Sequence, residues 1–155
     1  MSAQSLQKLF DVNQYALNVN VEGLSHEESL LQPAGGGNCL NWVVGHIVAN
    51  RNHVLGLLGE APIWPEADYE RFKRGSAPVR DAGGARPLAK TLEDFARSQE
   101  RIRAGLNRVG DAGLAAKAGE ETVGEKLAFL HFHEAYHIGQ AALLRRMAGK
   151  DGAIR

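Results

Sequence analysis

The chain has 155 residues, with Lys plus Arg and Asp plus Glu balanced at 18 each. No net positive field exists to draw nucleic acid or an anionic membrane, so neither partner is expected. The one cysteine, Cys39, excludes an intrachain disulfide. No charged-then-apolar leader and no apolar run of about 18 residues occurs, which sets cytoplasmic residence as the expectation.

Aromatic residues make up 6% of the chain and alternating β-branched runs are scarce, so helices are expected throughout. From residue 5 to 24, Leu6, Leu9, Phe10, Asn13, Leu17 and Leu24 recur at three- and four-residue steps, the spacing of an apolar helical stripe. Ser25 and Glu28 form an S-x-x-E capping pattern for a short turn that Pro33 and the glycines at 35–37 terminate. A second helix is predicted from residue 40 to about 58, carrying Trp42, Val43, Gly45, Ile47, Ala49, Val54 and Leu57.

Residues 60–87 hold Pro62, Pro65, Pro78 and Pro87 with several glycines and many charges, and read as a long crossover. Connections of this length are uncommon in compact domains unless functional, so Trp64, Tyr69 and Phe72 are expected to pin it to the helices. Leu88, Leu92, Phe95, Gln99, Ile102, Leu106 and Val109 define a third helix ending near Gly110. Thr122 and Glu125 supply a capping box for a fourth, running to about Gly149. The prediction is therefore an all-α domain over residues 1–150, a four-helix bundle with its crossover between helices two and three, followed by a loose tail at 151–155.

The fourth helix contains "HFHEAYHIGQ", residues 131–140. Leu130, His133, His137, Ala141 and Leu144 share one stripe, so two histidines stand where core aliphatics would otherwise be. A buried imidazole needs partners for its ring nitrogens, and a metal satisfies the acceptor nitrogen directly. Histidines four apart have β-carbons about 5–6 Å apart, close enough to share one ion. His131 lies about 200° around from His133 and is read as packed or hydrogen-bonded. The second helix offers His46 and His53, with Asn50 between them, and both are expected to face inward as candidates for a third ligand. Three imidazoles would leave an open coordination position for water or substrate. His26 is expected to be solvated.

H-E-x-x-H also invites comparison with zinc hydrolases. Their extended motif sets a glycine and a third histidine at fixed places beyond the second histidine, whereas here Gly139 comes one place early and no histidine follows. Hydrolysis is thus the lesser reading, and Glu134, about 100° from His133, is read as a solvated residue or an outer partner of the site. Asn50, Gln140 and Tyr136 are candidates for orienting water or substrate or for proton donation. Cys39 is read as a packed residue. Arg145 and Arg146 match the helix dipole better than an anionic cosubstrate.

"NWVVGHIVANRNHVLGLLG" at 41–59 and "HFHEAYHIGQAALLRRMAG" at 131–149 resemble the two signature helices of DinB-like proteins, and "RFKRGSAPV" at 71–79 is similar to part of their crossover. The resemblance implies a DinB/YfiT-type four-helix bundle, commonly a homodimer, with a metal triad at His46, His133 and His137. That choice selects His46 over His53. It further implies a divalent ion, zinc or nickel, and relatives that are thiol S-transferases or isomerases acting on small electrophilic molecules with a low-molecular-weight thiol. A non-catalytic metal-binding stress protein is the alternative.

Overall fold

The computed structural model describes residues 1–154. It consists of α1 (Ala3–Val21), a single 3₁₀ turn (Glu28–Leu30), α2 (Leu40–Leu57), α3 (Glu66–Phe72), α4 (Leu88–Leu114), a two-residue hairpin of β1 (Lys117–Ala118) with β2 (Glu121–Thr122), and α5 (Val123–Met147). The four long helices are the predicted bundle. α4 and α5 each pack against both α1 and α2 but meet one another only marginally, so they occupy opposite corners. α2 and α5, the two histidine-bearing helices, are therefore neighbours.

α1 and α5 start at side chains that satisfy otherwise free backbone N–H groups. The Ser2 hydroxyl accepts from the Ser5 amide. At α5 the Thr122 hydroxyl accepts from the Glu125 amide while the Glu125 carboxylate accepts from the Thr122 amide. Ser25 and Glu28 make the same reciprocal pair before the 3₁₀ turn. Leu6, Phe10 and Leu17 of α1, Ile47 and Leu55 of α2, Phe95, Ile102 and Leu106 of α4 and Leu127 of α5 form the core.

Three features depart from the expected outline. The crossover is not structureless: α3 lies within it, Trp64 and Phe72 are buried, and Tyr69 is half-buried. Trp64 Nε1 donates to Asp94 Oδ2 at 2.8 Å, and Arg86 bridges Asp68 and Asp94 at 3.0 and 2.8 Å, tying the segment to α4. With α3 covering its outer side, α2 is buried at every position from Leu40 to Ala49, as a helix apolar all round should be. α4 continues past Gly110, which breaks the helical path at φ 59°, ψ −174°, a conformation open to glycine, and one further turn reaches Leu114. The short hairpin then feeds α5. Residues 151–154 have no regular structure, although the Asp151 carbonyl accepts from Arg145 Nε at 2.8 Å; Arg155 lies outside the described residues.

Candidate metal centre

His46 projects from the middle of α2 and is held on three sides. Its ring stacks on Trp42 at 4.7 Å between centroids, with planes 11° apart. Its Nδ1 lies 2.6 Å from the Phe72 carbonyl oxygen, which can only accept, so Nδ1 carries the proton and Nε2 a lone pair. Phe72 reaches that position because residue 45 is glycine: a β-carbon there would fall 2.3 Å from the Phe72 ring. The crossover thus sets the tautomer of a histidine on another element.

From α5, His137 places its Nδ1 2.8 Å from Gln140 Oε1, which likewise leaves Nε2 as the free acceptor. His133 Nε2 then sits 3.4 Å from His46 Nε2 and 3.2 Å from His137 Nε2. A single proton on His133 can satisfy only one of these contacts well. A cation satisfies all three. Two nitrogens about 2.0–2.1 Å from a tetrahedral ion are separated by roughly 3.3 Å, which the two observed spacings bracket. The three histidines form a group that can hold a metal ion, with their ligand atoms all within 4.8 Å of one another.

The electrostatics keep the rings in the ligating form. Burial is the main force pushing His46 down to about 4; the Phe72 carbonyl opposes it, and the neighbouring His137 and His133 add to the fall. His133 is lowered by burial first and then by His137, against the opposing Glu134 carboxylate. Burial also lowers His137, against the Gln140 hydrogen bond. Each of these shifts favours the neutral ring.

The surrounding residues sort differently from their sequence pattern. His53 does not face inward; it is exposed, with Nε2 3.1 Å from the Tyr69 hydroxyl. His131 packs edge-on against Phe10. His26 is half-buried rather than solvated, and its Nδ1 is enclosed without a partner. Asn50 donates to His46 Nε2 at 3.1 Å and to the His46 carbonyl at 2.8 Å, which places its amide beside the ligand nitrogens. Cys39 is fully buried, its sulfur against the Val79 carbonyl. Arg145 binds the carbonyls of Asn20 and Glu22 at the end of α1, away from the histidines.

Glu134 is neither solvated nor hydrogen-bonded to the histidines. It points into the core, 4% exposed, and takes two hydrogen bonds of 2.8 Å from Arg51, which is itself fully buried. Arg51 also donates to the Phe95 carbonyl and to Ser98 Oγ, both at 3.0 Å, and lies 3.7 Å over the Phe95 ring. The pairing was missed in the sequence, where one signal was available: Arg51 shares the α2 stripe of Ile47 and Leu55, positions four residues to either side, so its charge had to meet a partner inside the bundle.

A cavity of about 720 Å³ opens over the three imidazoles, between Trp42 and Tyr136 on the helices and Arg74, Ser76 and Arg80 on the crossover. The sequence pattern of the DinB superfamily matches residues 9–141, which include all three histidines and the crossover. The chain belongs to the DinB superfamily. No curated protein matches it. As a DinB superfamily member, the protein has the all-α architecture expected of it, and no helix among the described residues is long and apolar enough to cross a membrane.

Proposed function

We propose that this DinB superfamily protein binds a divalent transition metal, zinc or nickel, through Nε2 of His46, His133 and His137, and that it is a metal-dependent enzyme of the thiol S-transferase or isomerase type acting on a small electrophilic molecule. The observation that carries the reading is the convergence of three imidazole Nε2 atoms at the floor of an open cavity. Imidazole ligands suit these borderline ions, and three protein ligands leave a position for an incoming molecule.

His46, His133 and His137 would hold the ion, and the chemistry it would supply when bound is Lewis acidity that lowers the pKa of a thiol or water toward neutrality. The protein's own contribution is orientation. The Phe72 carbonyl and Gln140 Oε1 keep protons on the outward nitrogens of His46 and His137, so both rings present Nε2 to the cavity. Trp42 fixes the plane of His46, and Tyr136 lines the cavity wall. A hydrolase of the H-E-x-x-H kind needs its glutamate beside the metal as a base, and Glu134 is committed to Arg51 in the core.

The reading also includes a homodimer. Phe129, Phe132, Tyr136 and Leu143 stand exposed along one stripe of α5, an apolar face suited to a second copy of the chain.

Elemental analysis of protein purified without an affinity tag should find near-stoichiometric zinc or nickel, lost in His133→Ala. Turnover of small electrophiles with a panel of low-molecular-weight thiols should then follow the metal. Stoichiometric metal without metal-dependent turnover would replace the enzyme by a metal-binding protein; absence of metal would remove both readings.

A further inference from the structure

The cavity over the imidazoles is uneven in charge. On its crossover side stand Arg74 and Arg80, and none of its lining residues is Asp or Glu. Several other arginines are paired with carboxylates, Arg51 with Glu134, Arg86 with Asp68 and Asp94, Arg103 with Asp11 and Arg108 with Glu60, while Arg71, Arg101 and Arg145 donate to backbone carbonyls. Among the described residues, neither Arg74 nor Arg80 has such a partner, and Arg80 donates only to the neutral Gln32 Oε1, at 3.2 Å. The chain is neutral overall, so this pair is a local choice rather than a general basic surface.

The opposite side differs in kind. An adjoining cavity of about 410 Å³ shares Trp42, Tyr136 and His137 as a common wall but is completed by Val43, Leu144 and Met147. Guanidinium groups bind carboxylates through planar paired donors, and two of them without a counter-charge among the lining residues of one cleft concentrate anions there.

We infer that the pocket takes an anionic substrate, a small molecule whose carboxylate lies against Arg74 and Arg80 while its reacting group lies at the three imidazoles. The inference rests on the metal reading above, and its test separates the two. The full-length protein loaded with Co²⁺ is titrated at low ionic strength with 3-mercaptopropionate, 2-mercaptoethanol and cysteamine, following the thiolate-to-cobalt absorption. In Arg74→Gln/Arg80→Gln the apparent affinity for 3-mercaptopropionate falls about tenfold, the change a single charged contact confers, while the neutral thiol is little affected and the cationic one gains. Added salt narrows the difference between native protein and variant. Equal loss for all three thiols, or no loss for the anionic one, overturns the inference.

Should no thiol give the absorption band, the metal-thiol reading fails by itself. The anion site is then decided on metal-free protein titrated with succinate, following the backbone amides of Gly75 and Ser76 by NMR. Saturable shifts that vanish in the double variant support it, and shifts that do not saturate in the native protein refute it.

Discussion

Replacing Glu134 by alanine isolates what the glutamate of H-E-x-x-H does in this fold. Arg51 is fully buried and would keep its neutral acceptors, the Phe95 carbonyl and Ser98 Oγ, but lose both charge-assisted bonds to the carboxylate. Leaving one member of a buried pair unmatched typically costs about 3–5 kcal/mol. At roughly 3 °C per kcal/mol for a chain of this length, the melting temperature should fall by roughly 10–15 °C. Glu134→Gln should also destabilise, because it turns an NH₂ group toward the guanidinium. The paired replacement Arg51→Met/Glu134→Leu removes both charges and should return to within about 1–2 kcal/mol of the parent, or exceed it. Urea unfolding, after chelation, of the parent, Arg51→Met, Glu134→Leu and the double replacement gives the coupling energy directly. If each single variant loses less than about 1 kcal/mol and the losses simply add, the pair is not the structural unit described here. A Glu134→Gln protein of native stability that binds metal but has lost a native hydrolytic activity would instead revive the catalytic base.

Gly45→Ala should cost about 1–3 kcal/mol by overpacking against Phe72, and should weaken metal binding by about 10–100-fold because the Phe72 carbonyl orients His46; competition with a chromogenic chelator measures the second effect, and unchanged metal affinity would separate the crossover from the site. Acidification should destabilise the metal-free protein: His46 titrates at about 4 when folded and near 6.5 when unfolded, so between those values the unfolded chain binds more protons and stability falls with pH, by roughly 3 kcal/mol in all. Urea midpoints across that window should show the fall, and His46→Ala should flatten it; a pH-independent midpoint contradicts the burial argument. Phe132→Asp should convert the proposed dimer to monomer in light scattering after gel filtration, and an unchanged mass would place any self-association elsewhere.

The legibility of this chain follows from what periodicity encodes. Capping boxes at Ser25 and Thr122, and the stripes of α1, α4 and α5, are local signals, and they located the bundle. His133 and His137 could be paired because helical geometry alone fixes their relation. His46 and His53 could not be told apart by spacing, since seven residues return to nearly the same face of α2, and which of the two meets the α5 histidines is a property of two helices together. α3 was hidden among prolines, and its seven residues depend on burying Trp64 and Phe72 rather than on their own propensity. The Phe72 carbonyl that holds His46 was invisible in principle, because a backbone atom leaves no residue type to read.

The five-residue pattern H-E-x-x-H therefore describes two faces of one helix with different tasks. His133 and His137, a full turn apart, look into the cavity, while Glu134, about 100° away, looks into the core. Each task depends on α2: His46 completes the imidazole group from one of its faces, and five residues on, Arg51 binds Glu134 from another. The same two helices are thus fixed against each other by an ion pair one turn deep in the core and by the shared nitrogen cluster above it. Because neighbouring ligand positions demand sub-ångström registry between α2 and α5, the buried pair does more than fill space. It fixes the rotation of each helix about its axis, so a protein lacking both charges but retaining full stability would still be expected to bind metal less tightly than the parent.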